Sequence, residues 1–140
     1  MTSGTVVVLP SSEGQYSSMR GEFLNGSFTV GDVVVADGPP ETEAARICAA
    51  ISAEPRDQPL TIVAFGRSAL HLPSVALAQR AAHRRVREYL LVDPQTPAVT
   101  DGWPDAHVSV FSDGDQTQAR LRGWSISPLS TLRDWIPAPE

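Results

Sequence analysis

Ser68 is the side chain best placed to do chemistry. It stands in Leu60-Thr-Ile-Val-Ala-Phe-Gly-Arg-Ser-Ala-Leu-His-Leu-Pro73, where a short apolar run of β type ends at Phe65 and a run rich in Ala and Leu begins just past the serine. A serine on a tight turn between a strand and a helix has the geometry of a nucleophile elbow, which presents the hydroxyl to a carbonyl carbon. A serine hydroxyl is weak at neutral pH and needs a base within about 3 Å to take its proton. A carboxylate then orients that base. Three histidines are available, His71, His83 and His107. His71 follows Ser68 by one turn and can share its helix face. His83 falls at the far end of the same helix, roughly 20 Å away at 1.5 Å per residue, where an imidazolium suits the helix dipole. His107 opens a strand and so belongs to the opposite edge of a sheet. Asp115, in Ser112-Asp-Gly-Asp115, is the candidate acid. Each of these residues also has a plainer reading. Ser68 can cap a helix, His71 can line a pocket rim, and Asp113 and Asp115 are residue types that dominate turns.

These residues must be held by regular elements. Thr5 to Leu9, Asp32 to Ala36, Leu60 to Phe65, Tyr89 to Val92 and His107 to Phe111 read as strands, and Leu121 to Ile126 as a short sixth. Their near-continuous β-branched and apolar character predicts burial on both faces. A weak helix is expected around Tyr16 to Leu24. A helix starting at Pro39 or Pro40 carries Ala44, Ile47, Cys48 and Ile51 at the i, i+3, i+4, i+7 spacing. Pro55 ends it. Leu72 to His83 predicts the longest helix, and Ser130 to Trp135 a last amphipathic one with Leu132, Trp135 and Ile136 inward. Strands alternating with helices predict an α/β fold: a mostly parallel sheet of about six strands in three layers, α/β/α. Ligands in such sheets bind beyond the C-terminal strand ends. The loops Pro10 to Gly14, Asp37 to Pro40, Gly66 to Leu70, Asp93 to Pro97 and Ser112 to Asp115 therefore frame the expected site. Ser11 and Ser12, in the first of them, can offer amides to an anion.

The second half, from about Leu60 to Trp135, resembles small bacterial, actinobacterial-type α/β-hydrolases. The family's elbow is Gly-x-Ser-x-Gly, followed by a Leu-Leu-Pro-like run and an alanine-rich helix. Gly66-Arg-Ser-Ala-Leu70 and Leu72-Pro73 match it, with Leu70 in place of the second glycine. Tyr89-Leu-Leu-Val-Asp-Pro94 looks like the strand after the elbow helix, and Val108 to Asp115 like the strand and turn that carry the triad acid. Arg122-Gly-Trp-Ser-Ile126 resembles the last strand. In relatives a Gly-Gly-His or Gly-x-Gly-His follows that strand. Here the chain reads Ser127-Pro-Leu-Ser-Thr-Leu-Arg133, so Ser130 or Thr131 stands where the base belongs. The resemblance implies a minimal hydrolase-like domain over residues 1–140, without a lid and without the usual two N-terminal strands. It places Ser68 as nucleophile and Asp115 as acid, with Ser11, Ser12 and Ala69 near the oxyanion amides and pocket rim, and His71 is the candidate from the residues themselves for the missing base.

Composition narrows the classes further. A formal charge of −5, with all 11 basic residues arginine, argues against a nucleic-acid partner. The cluster Arg80, Arg84, Arg85 and Arg87 reads as a solvated helix end, or as a contact for an acidic partner. No metal-ligand spacing, phosphate loop or dinucleotide fingerprint occurs, so neither metal nor cofactor is expected. No stretch nears the roughly 20 apolar residues of a membrane span, and the N-terminus lacks the features of a signal peptide, so a cytoplasmic location is expected. Cys48 is a single thiol on an apolar helix face. The expected activity is binding of a small acyl, ester or peptide-like ligand, or of a partner protein, with little hydrolytic turnover. The alternative is a working serine esterase, thioesterase or acyl transferase with a rearranged base. An uncovered sheet edge predicts a homodimer.

Overall fold

The computed structural model describes residues 5–9, 18, 21, 30–32, 42–53, 59–95 and 103–132. The chain is an α/β protein built on parallel strands, as the alternation of apolar runs predicts. Its strands are β1 (Thr5–Val8), β2 (Val30–Asp32), β3 (Leu60–Phe65), β4 (Val86–Val92), β5 (His107–Phe111) and β6 (Ser125–Ser127). Its helices are α1 (Glu43–Ile51), α2 (Leu72–Ala81) and α3 (Thr117–Leu121), with 3-10 turns at Gly66–His71 and Leu129–Thr131. The strands lie side by side in the order β2-β1-β3-β4-β5-β6, each neighbouring pair parallel.

The two faces of the sheet can be read from the strand period of two. Val7, Ile62, Ala64, Tyr89, Leu91, Val108 and Val110 join one core, with Ile47, Ile51, Leu72, Val75 and Ala76 of α1 and α2 and Ala119 of α3. Val6, Val8, Val63, Phe65, Leu90, Val92 and Phe111 form the other, with Leu132 and Leu129 against it. Both faces are therefore dry, which explains why these strands carry uninterrupted apolar runs.

Several boundaries differ from the sequence reading. β2 runs Val30–Asp32 rather than starting at Asp32; residues 33–36 and the expected helix start at Pro39 or Pro40 lie outside the described residues. So do most of the weak helix at 16–24, Pro55, Trp135 and Ile136. β4 begins at Val86, because its first three residues include Arg87 and Glu88 and mimic a polar loop. Leu121, the expected start of the sixth strand, instead ends the helix Thr117–Leu121, and β6 is shifted to Ser125–Ser127. The final helix is, as far as it is described, the 3-10 turn Leu129–Thr131 running into Leu132. α2 stops at Ala81 because His83 adopts a left-handed φ of 57°, and the Arg84 N–H reaches back to the Gln79 carbonyl at 2.8 Å. That six-to-one bond is the usual way to close a helix, though glycine more often occupies the turn.

Arg84 corrects the solvated-cluster reading. It is 4% exposed, and its guanidinium donates to the Ile51 carbonyl at 3.0 Å. It therefore satisfies a carbonyl at the C-terminal end of α1, where the dipole favours a cation. Arg80, Arg85 and Arg87 remain exposed.

Candidate functional site

In a parallel sheet every strand delivers its following loop to the same end. The turn after β3, Asp93 after β4, Ser112 to Gln116 after β5 and Pro128 to Thr131 after β6 thus share the C-terminal edge. β1 and β3 are adjacent, but the chain leaves them in opposite directions, to β2 on one side and to β4 on the other. That is a topological switch point, the place where open α/β sheets leave a crevice. Ser68 follows one of these two strands. Ser11 and Ser12 follow the other and lie outside the described residues.

The turn after β3 is built from its glycine. β3 is buried along its whole length, and Gly66 then takes φ 53°, a left-handed value open to a residue without a Cβ. The reversal feeds a 3-10 turn, Gly66–His71, and α helix proper begins at Leu72. Pro73 therefore sits in the first turn, where its missing N–H costs nothing. The Gly66 carbonyl accepts from the Gln95 N–H at 3.0 Å, tying this turn to the segment after β4. Leu70 points outward and is 45% exposed.

Ser68 is 6% exposed. Its Oγ accepts the Phe65 N–H at 2.9 Å and donates to the Phe65 carbonyl, also at 2.9 Å. The hydroxyl thus closes the turn onto the last residue of β3. In an elbow built for attack, the strained residue is the serine and its Oγ is exposed. Here the left-handed conformation belongs to Gly66, two residues earlier, and the Oγ is buried. Ala69 is buried in the core, and its carbonyl accepts the Leu72 N–H.

The candidate base and acid are engaged elsewhere. His71 Nε2 lies 3.3 Å from Glu43 Oε2 on α1. Asp115 is exposed, and its Oδ1 accepts the Thr117 hydroxyl at 2.6 Å at the start of α3. Asp113 Oδ1 accepts the Leu129 N–H at 3.1 Å, joining the β5 loop to the turn after β6. Thr131 donates its hydroxyl to the Pro128 carbonyl at 2.6 Å. His83 and His107 are exposed, His107 at the N-terminal start of β5. No protein-family model matches the chain, and no curated protein matches it either.

Two groups were not singled out from sequence, the first at the site and the second nearer the other end of the sheet. Ser112, also 6% exposed, donates to Asp93 Oδ1 at 2.6 Å and accepts the Gly114 N–H at 3.1 Å. Asp93 has φ 44°, tolerable for an aspartate, and its N–H donates to the Phe111 carbonyl. The pair locks the ends of β4 and β5 together. Both residues lay in loops that the strand alternation marks, but nothing in their spacing announces the bond between them. Tyr89 is the second. Its hydroxyl donates to Asp105 Oδ1 at 2.7 Å, and its ring meets Trp103 edge-on, which in turn meets Trp124. Burial, reinforced by the Asp105 carboxylate, pushes its hydroxyl far above the ordinary tyrosine range, so it carries no base function. Burial also raises the Cys48 thiol, which suits a packing role rather than a reactive one. Among the described residues no cluster of His, Cys, Asp or Glu could hold a metal ion, and no helix is long and apolar enough to cross a membrane.

Proposed function

We propose that this chain is a minimal α/β-hydrolase-like domain, three-layered with about six strands and no lid, that binds a small acyl, ester or peptide-like ligand at its C-terminal edge and turns it over slowly or not at all. The observation that carries this reading is the pair of hydrogen bonds between the Ser68 hydroxyl and the Phe65 backbone. A nucleophile must have its proton taken by a base, and this proton is held by a main-chain carbonyl. The engagement of His71 with Glu43 and of Asp115 with Thr117 supports the same view. The switch point between β1 and β3, with Ser68 on the turn after β3, supports ligand binding at this edge.

The test has two parts. Hydrolysis of p-nitrophenyl acetate should be within about twofold for wild type and Ser68→Ala, since a residual rate from polar donors and binding survives loss of a nucleophile. Titration with ethyl butyrate or N-acetylalanine methylamide should shift backbone amide resonances of Gly66 to Leu70, Asp93 to Gln95 and Ser112 to Gln116. Brisk turnover that rises through pH about 6.5 and is abolished in both Ser68→Ala and His71→Ala contradicts the proposal and establishes a serine hydrolase with a moved base.

A further inference from the structure

We infer that Arg84 anchors a second binding site at the N-terminal edge of the sheet, where its guanidinium takes the carboxylate or phosphate group of a small ligand. Arg84 follows the left-handed His83 and is 4% exposed. Its guanidinium donates once, from Nη1 to the Ile51 carbonyl at 3.0 Å. Nε is buried and has no hydrogen-bond partner. Among the described residues no carboxylate pairs with the group. A guanidinium is always charged. A charge taken out of water needs an opposite charge and not hydrogen bonds alone. The last carbonyls of α1 supply part of it, about half a charge spread over the helix end. The rest is unanswered.

The geometry of the one bond selects the ligand class. Nη1 is the nitrogen on the Cδ side of the guanidinium. Anchoring it on Ile51 leaves the Nε–Nη2 edge, where two N–H groups point the same way. That edge matches the paired oxygens of a carboxylate or a phosphate. A water molecule or an amide can accept from it but leaves the charge uncompensated. The described carboxylates of this edge are committed elsewhere. Asp105 holds the Tyr89 hydroxyl. Glu88 shares the strand period of two with Leu90 and Val92, which puts it on the opposite face of the sheet from Ile51. The surrounding charge has the sign that draws an anion, since Arg80 and Arg85 are both exposed near the left-handed turn. So little of Arg84 is exposed that one small oxyanion group fits it, and a broad polyanion does not. The site is separate from the C-terminal edge. β3 begins at Leu60, whose N–H bonds the Arg85 carbonyl, and ends at Phe65, onto which Ser68 closes its turn.

NMR titration of the full chain with sodium phosphate or sodium acetate, at an ionic strength held constant with sodium chloride, tests this. Saturable shifts in the millimolar range are expected at the Arg84 Nε–H and at the amides of Ile51 to Ala53 and His83 to Arg85. Gly66 to Leu70 should not move. Either anion at about ten times its dissociation constant should also raise Tm by about 3–6 °C, as a ligand held only by the folded chain does. Arg84→Lys keeps the charge and loses the paired N–H edge, so affinity should fall about tenfold, while Arg85→Ala leaves it within about twofold. If Arg84→Lys fails to fold, the wild-type Arg84 Nε–H signal decides alone. No saturable shift there up to about 50 mM of either anion overturns the inference, and so does binding that Arg84→Lys leaves intact. Glu54 and Asp57 follow α1 in the chain. Binding that appears only in the double variant Glu54→Gln, Asp57→Asn also overturns it, since the chain's own carboxylate would then be the partner of Arg84.

Discussion

Two serines stand at the C-terminal edge of this sheet, one after β3 and one after β5, equally buried at 6% exposure. The hydrogen bonds that they donate differ in reach. Ser68 bonds only three residues back, to Phe65. Ser112 bonds across strands, to Asp93, nineteen residues away. The first closes a turn, and the second fastens two strand ends. Neither has a histidine among its hydrogen-bond partners, yet only Ser68 carries a sequence pattern that reads as catalytic. The comparison teaches that the Gly-x-Ser turn is a stable local structure in its own right, which the serine completes from inside.

The comparison predicts unequal costs. Ser112→Ala removes a bond to a carboxylate and leaves Asp93 half-buried without its donor. Bonds to charged groups are worth about 1.5–3 kcal/mol, so a loss of about 2–3 kcal/mol is expected, seen as a lower denaturant midpoint at unchanged slope. Ser68→Ala removes two neutral bonds made by one hydroxyl, and about 1–2 kcal/mol is expected in the same experiment. A larger loss for Ser68→Ala than for Ser112→Ala breaks the comparison, since it would make the turn rather than the cross-strand pair the stronger fastening.

Tyr89 sharpens the contrast from the other end of the sheet. Its folded hydroxyl holds its proton more tightly than the unfolded one, through burial first and the bond to Asp105 second. Stability from this source is complete below the unfolded value of about 10 and falls as pH rises past it, by up to about 1.4 kcal/mol per pH unit for one proton. The Cys48 thiol, also raised, adds a slope in the same direction. In Tyr89→Phe the alkaline slope should be shallower by the tyrosine share, with a loss of about 1 kcal/mol at pH 7 from the bond to Asp105. Denaturant titrations between pH 8 and 11 measure both. An unchanged alkaline slope contradicts the role given to burial.

What the sequence disclosed follows from how much of each element is dry. β3 and β5 fall on the expected residues, and β1 to within one, because every residue or every second residue is buried and apolar. β4 begins three residues before its apolar run because Arg87 and Glu88 occupy its start. α3 leaves no apolar period in the sequence, because only Ala119 of its five residues is buried. The place of Ser68 on a strand-to-helix turn was legible from the apolar run and the glycine. The direction of its hydroxyl was not, because that depends on which residue takes the left-handed φ, and Gly66 can do so without strain. The engagement of His71 was equally hidden, since its partner Glu43 is twenty-eight residues earlier and meets it only through the packing of α1 on α2.

The central claim is that Ser68 locks a turn and does not attack carbonyls. Incubation of the folded protein with excess fluorophosphonate, followed by intact-mass analysis, addresses it directly. The account predicts no adduct on Ser68, with the spectrum of wild type the same as that of Ser68→Ala. A stoichiometric adduct on wild type that is missing from Ser68→Ala would contradict it.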